Sequence, residues 1–190
     1  VLVTFGLLWL ARRIDLSARE LGLERDRIPS GLRWGMSAGV LVGVVLLLGA
    51  AVPVARPLFD DARTAGIGPW LLAYRALIRI PLGTVLLEEV AFRSVLLAAW
   101  RRVASLPSAV IGSSIVFGLW HVRPAIDLLI ENDVATDGPT RALAVLGAVA
   151  GTTIAGVAFC WLRVRSGSVL APVLAHVAAN SLATVLAFVV

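Results

Sequence analysis

Long, nearly uncharged apolar segments constrain the fold of this chain more than any other feature. Crossing a bilayer as a helix takes roughly 20 apolar residues, and five segments come close to or reach that length. A backbone N–H or C=O in hydrocarbon must be paired within the chain, so such segments cross membranes as helices. The predicted spans are residues 34–54, 81–100, 107–122, 142–162 and 168–190. We therefore expect an all-α, polytopic transmembrane helix bundle.

The regions outside these spans are short, so we expect one membrane domain over residues 1–190. Residues 1–11 are apolar but cover only about 16 Å as a helix, and we interpret them as the end of a clipped N-terminal span. Residues 12–33 mix acidic residues with arginines. This mixture predicts an amphipathic surface helix that breaks near Pro29–Gly31. Residues 123–141 are polar and are expected to form a loop.

The basic residues are unevenly distributed along the chain. All 17 are arginines, and ten of them would lie on one side of the bilayer, within residues 12–33 and at positions 101, 102, 163 and 165. Because arginine-rich segments stay in the cytoplasm, we expect residues 12–33 and 101–102 to be cytoplasmic. We attribute the positive charge to membrane orientation, not to nucleic-acid binding. The absence of lysine indicates a GC-rich bacterial genome, so we expect a multi-pass protein of the bacterial plasma membrane, surrounded by lipid.

Three predicted spans carry polar side chains at positions where apolar ones are expected. In chain order they are Glu88, Glu89 and Arg93, then His121, then His176 and Asn180. From the cytoplasmic span ends, Glu88, His121 and His176 lie about 12 to 22 Å deep. An ionisable group at such depth is costly unless it is paired, lines a wet cavity or is functional. We therefore predict that the three spans meet at one buried site.

The spacing of these residues indicates separate tasks. Glu89 and Arg93 are one helical turn apart and can form an ion pair, whereas Glu88 points about 100° away from them. Glu88 could act as a general base on water, which a histidine could share. A second histidine and Asn180 could donate hydrogen bonds to an oxyanion. Glu88, His121 and His176 could instead bind a divalent metal such as zinc, although the HExxH motif is absent.

Three motifs in order resemble those of the CPBP family, which includes CAAX prenyl endopeptidases and Abi-like, bacteriocin-processing enzymes. Residues 88–93 resemble its EExxxR motif, Phe117–His121 its FxxxH motif, and residues 176–180 its HxxxN motif. The stretch Arg165-Ser166-Gly167-Ser168 is also similar to family members. The resemblance covers about residues 75–190, which we take as the catalytic core.

The resemblance implies an intramembrane endopeptidase and a role for each motif residue. Glu88 and His121 would activate water, and His176 and Asn180 would form the oxyanion site. Glu89 and Arg93 would organise the cavity, supported by Phe117. Ser94 departs from the family pattern, since many members have glycine there. The substrate would be a peptide or a membrane protein. Both a metal-dependent and a metal-free mechanism stay open.

Other classes of protein also place acids and histidines in membranes. A non-catalytic scaffold or a bacteriocin-immunity protein could retain the same motifs. A transporter could use the same residue types, but it would usually show internal repeats, which this sequence lacks. A haem protein with two histidine ligands is a further alternative, but haem would not explain Glu88 or Asn180.

Overall fold

The computed structural model describes residues 1–134 and 137–190, without the side chains of residues 57 and 58. All regular elements among these residues are helical. The helices are α1 (Leu2–Arg13), α2 (Ala18–Leu21), α3 (Ile28–Ala51), α4 (residues 69–101), α5 (Leu106–Trp120), α6 (Val122–Glu131), α7 (Gly138–Ser166) and α8 (Leu170–Val189). Short 3₁₀ turns occur at Arg25–Arg27, Pro53–Phe59 and Ala62–Thr64.

Among the described residues, four helical segments are long and apolar enough to cross a membrane: Ala18–Ala51, Leu106–Glu131, Gly138–Ser166 and Leu170–Val189. The predicted all-α, polytopic membrane bundle is therefore confirmed. The predicted span at residues 81–100 lies within α4. This helix is long enough to cross, at about 1.5 Å per residue, but it carries Glu88, Glu89 and Arg93 and is not one of these four segments. Those three side chains are buried between helices. That α4 crosses the membrane as a fifth span stays a prediction.

Helix α4 is continuous through Pro81, where the sequence predicts a kink or a start. Its successive parts are Pro69–Tyr74, Arg75–Val85, Leu86–Glu88, Glu89–Leu96 and Leu97–Arg101. The second and fourth parts are wound as π-helix. In a π-helix the hydrogen bonds join residues five apart, and such turns occur frequently at functional sites. One π-helical part begins at Glu89, directly after Glu88.

A row of glycines brings α3 close to α8. The row consists of Gly31, Gly35, Gly39 and Gly43, spaced four residues apart. A Cβ atom on Gly35 would lie only 2.9 Å from the Leu174 side chain and 3.0 Å from the Ala171 carbonyl oxygen. Small residues at such a contact let helix backbones approach closely, which is how helices associate in lipid. The contact positions α8, which carries His176 and Asn180.

The polar segment after His121 is partly helical, so the prediction of a loop over residues 123–141 is wrong at both ends: α7 already begins at Gly138. Helix α6 covers Val122–Glu131. Pro124 lies in its first turn, where a proline costs no hydrogen bond, and Arg123 donates to Asp127 at 3.0 Å, one turn later. Residues 135 and 136 of this segment lie outside the described residues.

The predicted single surface helix at residues 12–33 is also wrong. Helix α1 continues to Arg13, α2 is one turn long, and Pro29–Gly31 lie inside the first turn of α3. Ser17 and Glu20 form a capping box at the start of α2, and Gly22, with φ +71°, ends it. Leu16 and Leu21 of the segment are buried, whereas most of its other residues are exposed. We call residues 14–24 the strap.

Hydrogen bonds attach the strap to one end of the bundle. Arg102, directly after α4, donates to the Ile14 carbonyl at 2.7 Å and to Glu20 at 2.8 Å. Arg163 of α7 donates to the Glu20 carbonyl at 2.8 Å. The strap, Arg102 and Arg163 therefore share one end, as the arginine distribution requires; that this end is cytoplasmic stays a prediction.

Ser94 also contacts the strap. Its hydroxyl donates to the Leu21 carbonyl at 2.5 Å and is fully buried. The residue that departs from the family pattern therefore links the strap to α4 in this chain.

Gly22 offers a test of the strap. Its left-handed backbone costs a non-glycine residue about 1–2 kcal/mol, and a Cβ atom there would also collide with the Arg163 guanidinium. We expect Gly22→Ala to reduce the free energy of unfolding by more than this strain, measured by denaturation in micelles. Gly66→Ala is the matched control, because Gly66 has the same φ of +71° and no atom near its missing Cβ. Equal losses in both variants would show that the Arg163 contact does not constrain the strap.

Candidate active site

The polar residues of the predicted spans are buried together in the middle of the bundle. Helix α4 supplies Glu88, Glu89 and Arg93, and α8 supplies His176; all four are nearly or fully buried. His121 lies at the break between α5 and α6, where its φ of −87° and ψ of 0° end the first helix. Its side chain is 22% exposed. The predicted convergence of the three spans is therefore observed.

Glu88 lies between the two histidines. Its Oε2 atom is 3.8 Å from Nε2 of His176 and 4.0 Å from Nε2 of His121. This oxygen is buried and has no hydrogen-bond partner among the described residues. The other oxygen, Oε1, accepts a hydrogen bond of 3.1 Å from the indole N–H of Trp120. The carboxyl group thus has one bound oxygen and one free oxygen.

The partners of the two imidazoles determine which nitrogen carries hydrogen. Nδ1 of His121 lies 2.8 Å from the Phe117 carbonyl oxygen, which can only accept. Nδ1 of His176 lies 2.7 Å from Oε1 of Glu89, and a carboxylate oxygen likewise only accepts. Each Nδ1 is therefore the donor, and in a neutral imidazole Nε2 then presents its lone pair. In His121 that lone pair is on the atom that faces Glu88.

Asn180 contacts His176 one turn away, and the contact differs from the expected oxyanion site. Its amide Nδ2 lies 3.2 Å from Nε2 of His176. An amide NH₂ only donates, so one of its hydrogens is bound to the histidine. The second hydrogen of the amide is the one that can meet a ligand. His176 itself donates from Nε2 only when that nitrogen also carries a proton.

Glu89 has two partners, of which the sequence indicates one. The expected ion pair with Arg93 is present, with 3.1 Å between Oε1 of Glu89 and Nη1 of Arg93. The same oxygen accepts from His176. Both side chains of the ion pair are completely buried. Glu89 therefore compensates the Arg93 charge and orients the His176 ring at the same time.

Aromatic rings enclose Arg93. Its guanidinium carbon lies 3.8 Å from the centre of the Phe117 ring and 5.0 Å from that of Phe159. Nε and Nη2 of Arg93 are buried without a hydrogen-bond partner among the described residues. The ring faces therefore stabilise the positive charge of the guanidinium on the side where these two nitrogens form no hydrogen bond. Phe117, the first residue of its motif, thus contacts Arg93 directly; its supporting role stays a prediction.

Two site residues are not indicated by the sequence motifs. Phe159 of α7 stacks on the His176 ring with 4.9 Å between ring centres. In the sequence it is one more apolar residue in an apolar span, and no local signal distinguishes it. Trp120 reads as an interfacial aromatic residue near a span end. Its position beside His121 is the only signal of its bond to Glu88.

The donor atoms are not arranged as a ready metal site. Ligands at the usual zinc distances of about 2.0–2.2 Å would lie about 3.4 Å apart in a tetrahedron. The two measured separations from Glu88 to the histidines, 3.8 and 4.0 Å, are both longer. Within the described part of the chain, no group of three or more His, Cys, Asp or Glu side chains could hold a metal ion.

Comparison with known proteins supplies the family. The family model for type II CAAX prenyl endopeptidases of the Rce1-like type matches residues 69–182, which is more than half of the chain and includes all the residues of the three motifs. No curated protein and no solved structure matches the chain. The four apolar helices and the family match both indicate a membrane protein. The chain therefore belongs to the Rce1-like family of intramembrane CAAX-type endopeptidases.

Proposed function

We propose that this chain hydrolyses a peptide bond within the membrane by direct attack of a water molecule held by Glu88 and His121. The observation that carries the proposal is the separation of 4.0 Å between Oε2 of Glu88 and Nε2 of His121. Neither atom has a hydrogen-bond donor assigned to it among the described residues. A water that donates to two acceptors at about 2.8 Å each holds them about 4.4 Å apart. This value is close to the measured one.

Such a water has both hydrogens engaged and a lone pair free for attack. As its oxygen bonds to the peptide carbonyl carbon, Glu88 accepts one proton from it. The carbonyl double bond opens and leaves a negative charge on the oxygen. When the C–N bond breaks, the proton held by Glu88 passes to the leaving amine. Water has then been added across the bond, and Glu88 is returned to its starting state.

The developing oxyanion needs a donor on the opposite side of the carbonyl from the water. Asn180 can supply the second N–H of its amide, because the first is bound to Nε2 of His176. This bond fixes the orientation of the amide before substrate arrives, which is what oxyanion stabilisation requires. His176 holds the amide in this orientation from Nε2, while its Nδ1 donates to Glu89 at 2.7 Å.

A metal ion is not required by this proposal. Among the described residues, no group of three or more His, Cys, Asp or Glu side chains is arranged to hold a metal ion, and the proposed attack of water uses only Glu88 and His121. We therefore route no step through a metal. The substrate class follows from the family: a peptide or membrane protein cleaved at membrane depth, with a prenylated CAAX peptide as the first probe that the family description indicates.

The test uses purified protein in lipid vesicles with a fluorogenic farnesylated CAAX peptide and a set of unmodified transmembrane peptides. Cleavage that persists after exhaustive chelation is expected. In water enriched in ¹⁸O, the new carboxyl group should carry the label, and hydroxylamine should trap no acyl-enzyme. A preparation of Glu88→Gln purified in parallel controls for contaminating proteases.

Loss of cleavage on chelation that only zinc restores would reject the metal-free mechanism. Formation of a hydroxamate would reject direct attack by water. Absence of cleavage of every peptide would reject the enzymatic proposal and favour a scaffold.

A further inference from the structure

Trp120 has an unusual position for an aromatic residue of a membrane helix. Its side chain lies at the surface of the bundle, with 55% of the residue exposed. Its indole N–H nevertheless points inward and donates to the buried Glu88 at 3.1 Å. A tryptophan of an interfacial belt directs its polar edge towards water or headgroups. Membrane interface anchoring alone therefore does not account for this orientation.

The bond acts on a group that otherwise rotates easily. The terminal torsion of a glutamate side chain is broad and has roughly two-fold symmetry, so the plane of the carboxyl group is poorly defined without a partner. Only one oxygen of Glu88 has a partner among the described residues, and that partner is Trp120. With Oε1 held there, Oε2 is directed towards Nε2 of both histidines.

Trp120 is itself held in place. Its ring meets the ring of Phe92 edge-on, with 6.1 Å between centres. The carbonyl of Phe92 accepts a hydrogen bond of 2.8 Å from the buried Ser113, which joins α4 to α5. The backbone at the end of α5 is closed by a bond from His121 N to Gly118 O at 3.0 Å. The indole N–H therefore approaches Glu88 from a supported position.

We propose that Trp120 is a positioning residue that sets the rotation of the Glu88 carboxyl group and so presents Oε2 to the catalytic water. This proposal rests on the function proposed above. It assigns to Trp120 an effect on the chemical step and none on substrate binding.

The kinetic test compares Trp120→Phe with Trp161→Phe. Phenylalanine keeps an aromatic ring at position 120 but has no N–H. Loss of a hydrogen bond to a charged group, or a small displacement of a reacting group, typically costs about 10- to 100-fold in rate. We expect kcat of Trp120→Phe to fall by about that factor while KM and the melting temperature stay near wild type. Trp161, whose ring packs on Trp34 at 5.3 Å, is a half-exposed control, and its variant should keep wild-type kcat.

A spectroscopic test needs no substrate. With ¹⁵N-labelled indoles in nanodiscs, the chain shows at most six indole N–H signals, one for each tryptophan. Trp120→Phe assigns the signal of interest. We expect this signal to be shifted downfield by the carboxyl group and to move upfield in Glu88→Gln, whereas the Trp161 signal stays in place.

The outcomes separate the two proposals. An unmoved Trp120 signal, or a wild-type kcat in Trp120→Phe, would overturn the positioning role and leave the proposed hydrolysis standing. A rise in KM with unchanged kcat would overturn it as well, because Trp120 would then act on binding. Absence of turnover by the wild-type protein would reject the proposed function, and with it any effect of Trp120 on catalysis.

Discussion

Replacing Glu88 by glutamine is expected to lower turnover by a factor of about 10² to 10⁴, the usual contribution of a general base. Glutamine has nearly the same shape, and its amide oxygen can still accept the Trp120 hydrogen bond. It cannot accept a proton from water at Oε2, where the structure places both histidines within 4.0 Å. The melting temperature and the affinity for substrate should therefore change little.

The measurement needs purified protein in vesicles, a melting curve and one cleavable peptide. Glu24→Gln is the matched control: the same substitution at a glutamate of the strap, which pairs with Arg19 at 3.8 Å. It should retain wild-type turnover. Cleavage by Glu88→Gln at close to the wild-type rate would remove the central assignment of this proposal.

Replacing Glu89 by alanine is expected to lower the free energy of unfolding by about 3–5 kcal/mol, as removal of one partner from a buried ion pair does. Arg93 would keep its charge at a position with no exposure. His176 would lose the acceptor that holds its Nδ1, so turnover should fall in the protein that remains folded. Glu89 thus has a positioning role in addition to the structural role that its spacing predicts.

A double-mutant cycle separates these effects. Arg93→Met removes the charge left unpaired by Glu89→Ala, so the double variant should be more stable than Glu89→Ala alone. Turnover should stay low in the double variant, because His176 still lacks its partner. Unfolding would be followed in mixed micelles by a titration with denaturing detergent. If Glu89→Ala were as stable as the wild-type protein, the buried charge of Arg93 would not depend on Glu89 for compensation.

Features that depend on local spacing were predictable. The pair Glu89–Arg93 follows from one helical turn of separation. The break at His121 follows from the end of an apolar segment. The strap was not predictable, because its course depends on Gly22 and on the burial of Leu21 against α4. In the sequence, both residues look like ordinary members of a charged surface segment. The helix at Val122–Glu131 was missed because Arg123, Pro124 and Asp127 interrupt its apolar residues.

By itself, the sequence determined that the chain is a helical membrane protein, and it singled out the polar side chains that lie together between the helices. Both follow from short-range physics: hydrocarbon excludes unpaired backbone groups and charges, so a polar residue within an apolar span stands out. The tertiary structure alone decided how those side chains are oriented. The tautomers of His121 and His176, the double role of Glu89 and the bond from Trp120 to Glu88 depend on contacts between residues up to 87 positions apart. Such contacts arise when helices pack, and no local pattern records them.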